Sequence, residues 1–509
     1  MKRNRLAIAA ALSLLLCVSS LFCASLVASA QTTVAAAPTQ QPSQAQPWKS
    51  IPIPPLAQFH PPQPKRIVLK NGLVIFLIED HELPFISGFI EMKGGSRDEP
   101  ADKAGLVSLY GEAWRTSGTA TQNGDKLDDI LEAKAAKVET GGGNNSTSLS
   151  WNCLKQDEDL VFGIALDLLE HPAFNAQKLN LAKQQMAAGI VRRNDDASQI
   201  ASRESGILVY GPKSPYARQP EIATVMSVTV DDLKAWHART VIPNGTIIGV
   251  SGDFDSAAME KTLRMAFEGL PQGTPIQEPK EEFPGPKPGV YFVEKSDVNQ
   301  SNVRVVGLGT ERNNPDYYAL SIMNEIFSGG FGSRLFQDVR TKRGLAYSVG
   351  GAYGAAYDHP GMFYVGASTK SATTVDATQA ILDEIKGLKT EPFTEEELKR
   401  AKDQVLNSFI FNYDTKDKVL AEQARLEFYG YPLDFLDKYR DAVEKVTTAD
   451  LERVAKKYID PSKLAILVVG NSSEFGTPLS KLGPVQTLDI TIPMPPGMAP
   501  PQGPSAGEQ

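Results

Sequence analysis

Two polar side chains in the stretch Gly332–Tyr347, GSRLFQDVRTKRGLAY, are of types that could bind or polarise a ligand: Arg340 and Tyr347. A guanidinium directs planar donors at a carbonyl or carboxylate, and a phenol can donate to a developing oxyanion. The same pair fits a solvated or salt-bridged helix arginine and a strand tyrosine that packs its ring, and the stretch alone leaves both readings open. Just ahead of it, Gly329, Gly330 and Gly332 make either a turn where backbone comes close to a ligand or a plain loop. Elsewhere chemistry-bearing patterns are sparse. The five histidines, His60, His81, His171, His237 and His359, include no pair at helical i,i+4 spacing. There is no G-x-S-x-G elbow, no P-loop, no dinucleotide-binding glycine fingerprint after a first strand and no paired cysteine motif.

An internal repeat announces the elements that must hold these residues. Val228–Gly252 runs parallel, without a gap, to Val446–Gly470. Each copy reads as a capped helix, a proline turn and an apolar strand ending in glycine. Upstream, Leu181–Met186 and Arg400–Val405 open matching long helices, the first running over Leu181–Arg193 and the second N-capped by Thr394 with acids in its first turn. RIVLKNGLVIFLIED predicts a hairpin around Asn71-Gly72. Glycines 141–143 ahead of a strand Leu149–Leu154 read as a flexible or bulged edge, and Trp114 and Trp236 lie on apolar helix faces and read as core. The fold class is therefore α+β: two homologous sheet-plus-helix domains facing each other across a cleft.

Composition sets the boundaries. MKRNR, an apolar run Leu6–Leu26 and Ala28-Ser29-Ala30 before Gln31 have the layout of a cleaved secretory signal over residues 1–30. This predicts a periplasmic or otherwise exported protein with no integral membrane span after cleavage; an uncleaved anchor is the alternative. A Pro/Gln-rich linker follows over 31–64, an N-terminal domain over 65–271, a second proline-rich linker over 272–288, a C-terminal domain over 289–492 and a Pro/Gly-rich tail over 493–509. Cys153 alone survives signal removal, so no internal disulfide forms, and it reads as a small core hydrophobe. The formal charge of −8 deepens once Lys2, Arg3 and Arg5 are removed, which disfavours nucleic acid and anionic membranes as partners.

Together these features resemble the pitrilysin/insulinase family of zinc metallopeptidases, in the two-domain form found in bacteria and in mitochondrial processing peptidase. The resemblance covers residues 65–475 and rests on NGL at Asn71–Leu73, KGGSRDEP…GL at Lys93–Leu106, SGT at Ser117–Thr119, HPAF at His171–Phe174 and PYARQPE at Pro215–Glu221. In the second half it rests on SGGFGSRLF at Ser328–Phe336 and RTKRGLAYSV at Arg340–Val349. The implied architecture is a clam shell around a chamber. The family's inverted H-x-x-E-H helix supplies two zinc ligands and a general base. Here Ser108 stands for the first histidine and Gly111-Glu112 for the Glu-His pair, while the glutamate of a later helix falls at about Ala188 and Gly189. The resemblance thus implies degenerate metal positions and no zinc in this chain. It also implies that Arg340 and Tyr347 reach, in trans, a substrate held at another subunit's zinc, with Gly329, Gly330 and Gly332 lining the chamber beside the substrate.

The expected function is that of an exported zinc-less subunit of a heteromeric metallopeptidase, inactive alone and completed by a zinc-bearing homologous subunit acting on a peptide substrate. The alternative is a non-catalytic peptide-binding or scaffold protein of the same fold.

Overall fold

The computed structural model describes residues 61–279 and 281–495; the signal-like segment, nearly all of the first proline-rich linker and residues 496–509 lie outside the described residues. In the first half, β1 (Lys65–Val68) and β2 (Val74–Glu79) form the hairpin that Asn71-Gly72 announces, with Gly72 at φ +88°. They are followed by β3 (Phe85–Lys93), β4 (Lys137–Gly142), β5 (Ser146–Leu154) and β6 (Thr246–Gly252). The sheet order is β1-β2-β6-β3-β5-β4, with β2 and β6 parallel and the remaining neighbours antiparallel. Helices α1 (Leu106–Ser117), α2 (Gly124–Ala133), α3 (Glu158–Glu170), α4 (Ala176–Val191), α5 (Ala197–Tyr210), α6 (Ile222–Ser227), α7 (Val230–Thr240) and α8 (Ser256–Phe267) complete this half.

Strand β3 shows why one face of the sheet is core. Ile86, Ile90 and Met92 are buried while Ser87, Phe89 and Glu91 alternate with them on the partly open face, as the two-residue period of a strand requires. Tyr110, Trp114 and Trp236 pack into the core on the buried side, and Cys153 is buried with them.

The second half comprises β7 (Gly289–Glu294), β8 (Gln300–Leu308), β9 (Thr310–Glu311), α9 (Tyr317–Ser328), β10 (Ala346–Tyr353), β11 (Ala355–Ala356), β12 (Met362–Lys370), α10 (Thr374–Thr390), α11 (Glu395–Phe409), α12 (Lys416–Phe428), α13 (Phe435–Lys445), α14 (Thr448–Tyr458), β13 (Ala465–Gly470) and β14 (Val485–Thr487). Its sheet runs β10-β12-β8-β13-β7-β14. Read from the β14 end, each strand matches one of the first sheet, so β13 stands for β6 and β10 for β4. The outer strands differ in origin: β1 precedes its half and pairs antiparallel, whereas β14 ends its half and pairs parallel with β7. The repeat is realised residue for residue. Thr229 and Thr447 cap α7 and α14, each exchanging hydrogen bonds with Asp232 or Asp450 in a capping box.

The two halves close as a clam shell by lending each other a helix. From the second half, α12 lays Leu420, Ala424 and Phe428 on Phe76, Ile78 and Ile247 of the first sheet. From the first half, α5 lays Ile200, Ala201 and Val209 on Val306, Leu467 and Val469 of the second. Burial of Leu420 and Phe428 contributes about 1.5–3 kcal/mol each.

Two expectations are corrected. Gly141–Gly143 make no bulged edge: the β4–β5 ladder runs from Lys137↔Asn152 to Gly142↔Thr147 without a slip, because the glycines answer to a helix lying against them, described below. The chain also stays packed past residue 492, since Ile492 and Met494 lie on the core of the first half after Asn194 Nδ2 has donated to the Ile490 carbonyl at 2.8 Å.

Candidate functional site

Helix α1 carries the positions where a metal motif would sit. The Glu99 carboxylate caps it, accepting from the backbone nitrogens of Gly105 and Val107 at 2.9 Å each. Ser108 and Glu112 face solvent on one side, and Gly111 faces inward. Gly111 is pressed against β4: an added Cβ would stand 2.5 Å from the Gly142 nitrogen and 2.7 Å from the Gly141 carbonyl carbon. Thr140 Oγ1 fastens the contact, donating to the Gly111 carbonyl at 2.6 Å and accepting from Arg115 N at 3.1 Å. The space a glutamate would need at 111 is therefore filled by backbone. On α4, Ala188 and Gly189 are exposed and offer no ligand atom. Among the described residues no three His, Cys, Asp or Glu side chains are grouped to hold an ion. Zinc does not fit this set, and no step of chemistry runs through it.

Among the described histidines, His237 has a structural place. It is half-buried, with Nε2 2.8 Å from the Leu169 carbonyl and Nδ1 2.8 Å from the Tyr110 hydroxyl. Because a carbonyl only accepts, Nε2 carries the proton and Tyr110 donates to Nδ1. Burial lowers the His237 pKa to about 4, so the ring is neutral.

The residues expected to form the second half-site lie along one anchored segment. Helix α9 ends at Gly329, where a Cβ would strike the Glu325 carboxylate, and Gly330 sits at φ +77°. Gln337 Nε2 donates to the Phe331 carbonyl at 2.6 Å, which ties this loop to the next turn. Residues Phe336–Lys342 form a π-helical turn anchored by buried Leu335 and Val339; such wide turns recur at functional sites. Arg334 bonds both Glu397 oxygens at 2.7 and 2.8 Å, fixing the turn to α11. Burial would raise the Glu397 carboxyl, but Arg334 and the Thr394 cap hold it down at about 2.

On this base the Arg340 guanidinium lies 4.8 Å from the Phe336 ring centre and 5.5 Å from the Tyr347 ring centre. It forms no ion pair with any described residue, unlike Arg343, which pairs with Asp338 at 2.7 Å. Tyr347 opens edge strand β10 and is 78% exposed. Tyr347 is therefore presented outward, while Arg340 is half-buried and steadied by aromatic faces instead of a carboxylate. The glycine loop joins them through Phe331, whose ring meets Phe336 edge to face at 4.9 Å. Ser108, Gly111 and Glu112 are not brought to this pair; they sit beside β4, the counterpart of β10 in the other half.

Sequence motifs also converge where no chemistry was expected. Arg97 forms a buried ion pair across the halves with Asp358. His359 Nδ1 bonds Asp358 Oδ1 at 2.8 Å, and Tyr216 stacks on His359 at 3.9 Å. Against burial, which raises it, His359 and Arg97 hold the Asp358 carboxyl below its usual range. Arg218 Nη2 donates to the Ser96 and Glu99 carbonyls at 3.0 and 2.5 Å.

The family described as peptidase M16 inactive domain matches residues 227–405. A relative named non-peptidase homolog YmxG, from Helicobacter pylori, is 24% identical over 402 residues, 78% of this chain and 91% of the relative. The uncharacterized zinc protease YmxG of Bacillus subtilis is 23% identical over 398 residues, covering 77% and 93%. Among solved structures, the peptidase M16 inactive domain from Pseudomonas fluorescens superposes with a TM-score of 0.74 at 23% identity, over 82% of this chain and all of that one. A protease from Helicobacter pylori superposes at 0.69 and 20% identity, over 80% and 99%. Fold, repeat and lost metal positions agree with these matches: residues 227–405 match the peptidase M16 inactive domain, and the chain as a whole is similar to M16-type proteins while lacking a zinc-binding motif among the described residues.

Proposed function

We propose that this chain is an exported, zinc-less subunit of a heteromeric metallopeptidase, lending Arg340 and Tyr347 to the active site of a zinc-bearing homologous subunit during peptide hydrolysis. The observation that carries this reading is the contrast within one chain. The metal positions are sterically closed at Gly111, while Tyr347 is exposed and Arg340 has no ion-pair partner among the described residues. A guanidinium would fix a substrate carbonyl, and the phenol would donate to the oxyanion of the tetrahedral intermediate, the part of the reaction where such donors act most strongly. The general base and the metal would come from the partner.

Co-expression with an M16 chain that carries H-x-x-E-H tests the pairing. Size-exclusion chromatography should give a joint peak of about twice the mass, with metal analysis finding zinc in the partner's stoichiometry only. Independent elution at micromolar concentration supports the second reading, a non-catalytic peptide-binding or scaffold protein, which the name non-peptidase homolog given to the Helicobacter pylori relative favours.

A further inference from the structure

Between the first sheet and α12 lies a cavity of about 520 Å³, within the size range of small-molecule sites. None of its lining residues belongs to β10 or α1. Its floor is the open face of two strands in register: Phe89 and Glu91 of β3 stand opposite Ser150 and Ser148 of β5. Its far wall belongs to the other half, with Arg425 on α12 and the rings of Tyr357 and Tyr429, stacked at 4.7 Å and 11°.

Two opposite charges thus line one cavity without closing on each other. Arg425 pairs with Glu422 at 3.0 Å on its own helix and is half exposed. Glu91 forms no ion pair with a described residue, and its carboxyl is pushed above the ordinary range, chiefly by burial, against the opposing effects of Ser146 and Arg425. A half-buried carboxylate facing a gap, with a guanidinium on the opposite wall, is completed by a ligand that carries an ammonium at one end and a carboxylate at the other.

We propose that this cavity binds a short unblocked peptide of two or three residues, its α-ammonium on Glu91 and Ser148 and its terminal carboxylate on Arg425. The aromatic walls, Phe89 below and the Tyr357–Tyr429 stack beside it, take the peptide's apolar side chains. This site is independent of the Arg340–Tyr347 reading, because it needs neither a partner subunit nor catalysis.

Calorimetry of the full chain with Ala-Leu-Ala tests it. The unblocked peptide should bind, and N-acetylation or C-amidation should each weaken binding about tenfold or more, the loss expected when a charge-assisted contact goes. Glu91→Gln should weaken the unblocked peptide to the same degree while leaving the N-acetylated peptide unchanged, and Arg425→Ala should do the same for the C-amide. Absence of binding at millimolar peptide, or affinity indifferent to blocking either end, would overturn the proposal. If Glu91→Gln does not fold, the blocked peptides on the unaltered chain decide the question alone.

Discussion

Gly111 on α1 and Gly142 on β4 meet backbone to backbone: a Cβ on Gly111 would stand 2.5 Å from the Gly142 nitrogen, and a Cβ on Gly142 would stand 2.3 Å from the Val107 oxygen. This seam occupies the position where an active relative would need its general base. Loss of zinc chemistry is therefore built into helix–strand packing and goes deeper than three exchanged side chains. Gly111→Ala should destabilise the fold by about 1–3 kcal/mol through overpacking. The triple change Ser108→His, Gly111→Glu, Glu112→His should give a less stable chain that still takes up no stoichiometric zinc. Thermal unfolding and metal analysis check both; a stable, zinc-loaded triple variant would show that the seam yields.

Arg340 and Tyr347 are held by aromatic contact and are not part of the core. Arg340→Ala and Tyr347→Phe should each shift the isolated chain's stability by no more than about 0.5 kcal/mol. Denaturant titration measures this directly, and a loss of several kcal/mol would assign the pair a structural role.

Arg97 and Asp358 bridge the two halves with side chains only 3% and 2% exposed. Removing Arg97 leaves the buried Asp358 with His359 as its remaining partner, so Arg97→Met should cost up to about 3–5 kcal/mol, whereas Arg97→Met combined with Asp358→Leu should recover a good part of it. Additive losses in that double-mutant cycle would mean the two residues are not coupled.

His237 gives the fold a defined acid sensitivity. Its folded pKa is lowered to about 4 from 6.5, so between those values the unfolded chain binds a proton the folded chain refuses. Stability contributed by the neutral ring is complete above the unfolded value and is lost as pH falls through this window, by about 3 kcal/mol at pH 4. His237→Asn should flatten the pH dependence of unfolding over that range, whatever its effect at neutral pH.

Local signals carried much of the architecture. Asn71-Gly72, the Thr229 and Thr447 caps and the strands ending at Gly252 and Gly470 appear where turn chemistry and periodicity put them, because each is decided by neighbours in sequence. Element starts were less legible: β5 begins at Ser146, ahead of the apolar run, and α4 begins at Ala176, capped by Asn175. What escaped depends on distant partners. Gly141 and Gly142 read as a weak edge because nothing local reveals Gly111 against them. Arg97 and Tyr216 stand in recognisable motifs, yet their use in joining the halves to Asp358 and His359 exists only after folding. The exchange of α5 and α12 between sheets is likewise invisible to periodicity, which marks an apolar face without naming what covers it. For the candidate site, Arg340 and Tyr347 were singled out by residue type and motif, but the seat of Arg340 between the Phe336 and Tyr347 rings needed the π-helical turn.

The most direct measurement is peptide hydrolysis by the co-purified complex of this chain with a zinc-bearing M16 subunit, comparing the unaltered chain with Arg340→Ala/Tyr347→Phe. The unaltered complex should show chelator-sensitive turnover, and the double variant should assemble normally yet turn over about 10²–10³-fold more slowly, the loss typical of a missing oxyanion donor. Hydrolysis at the unaltered rate by an intact double-variant complex would contradict the account and leave this chain a scaffold.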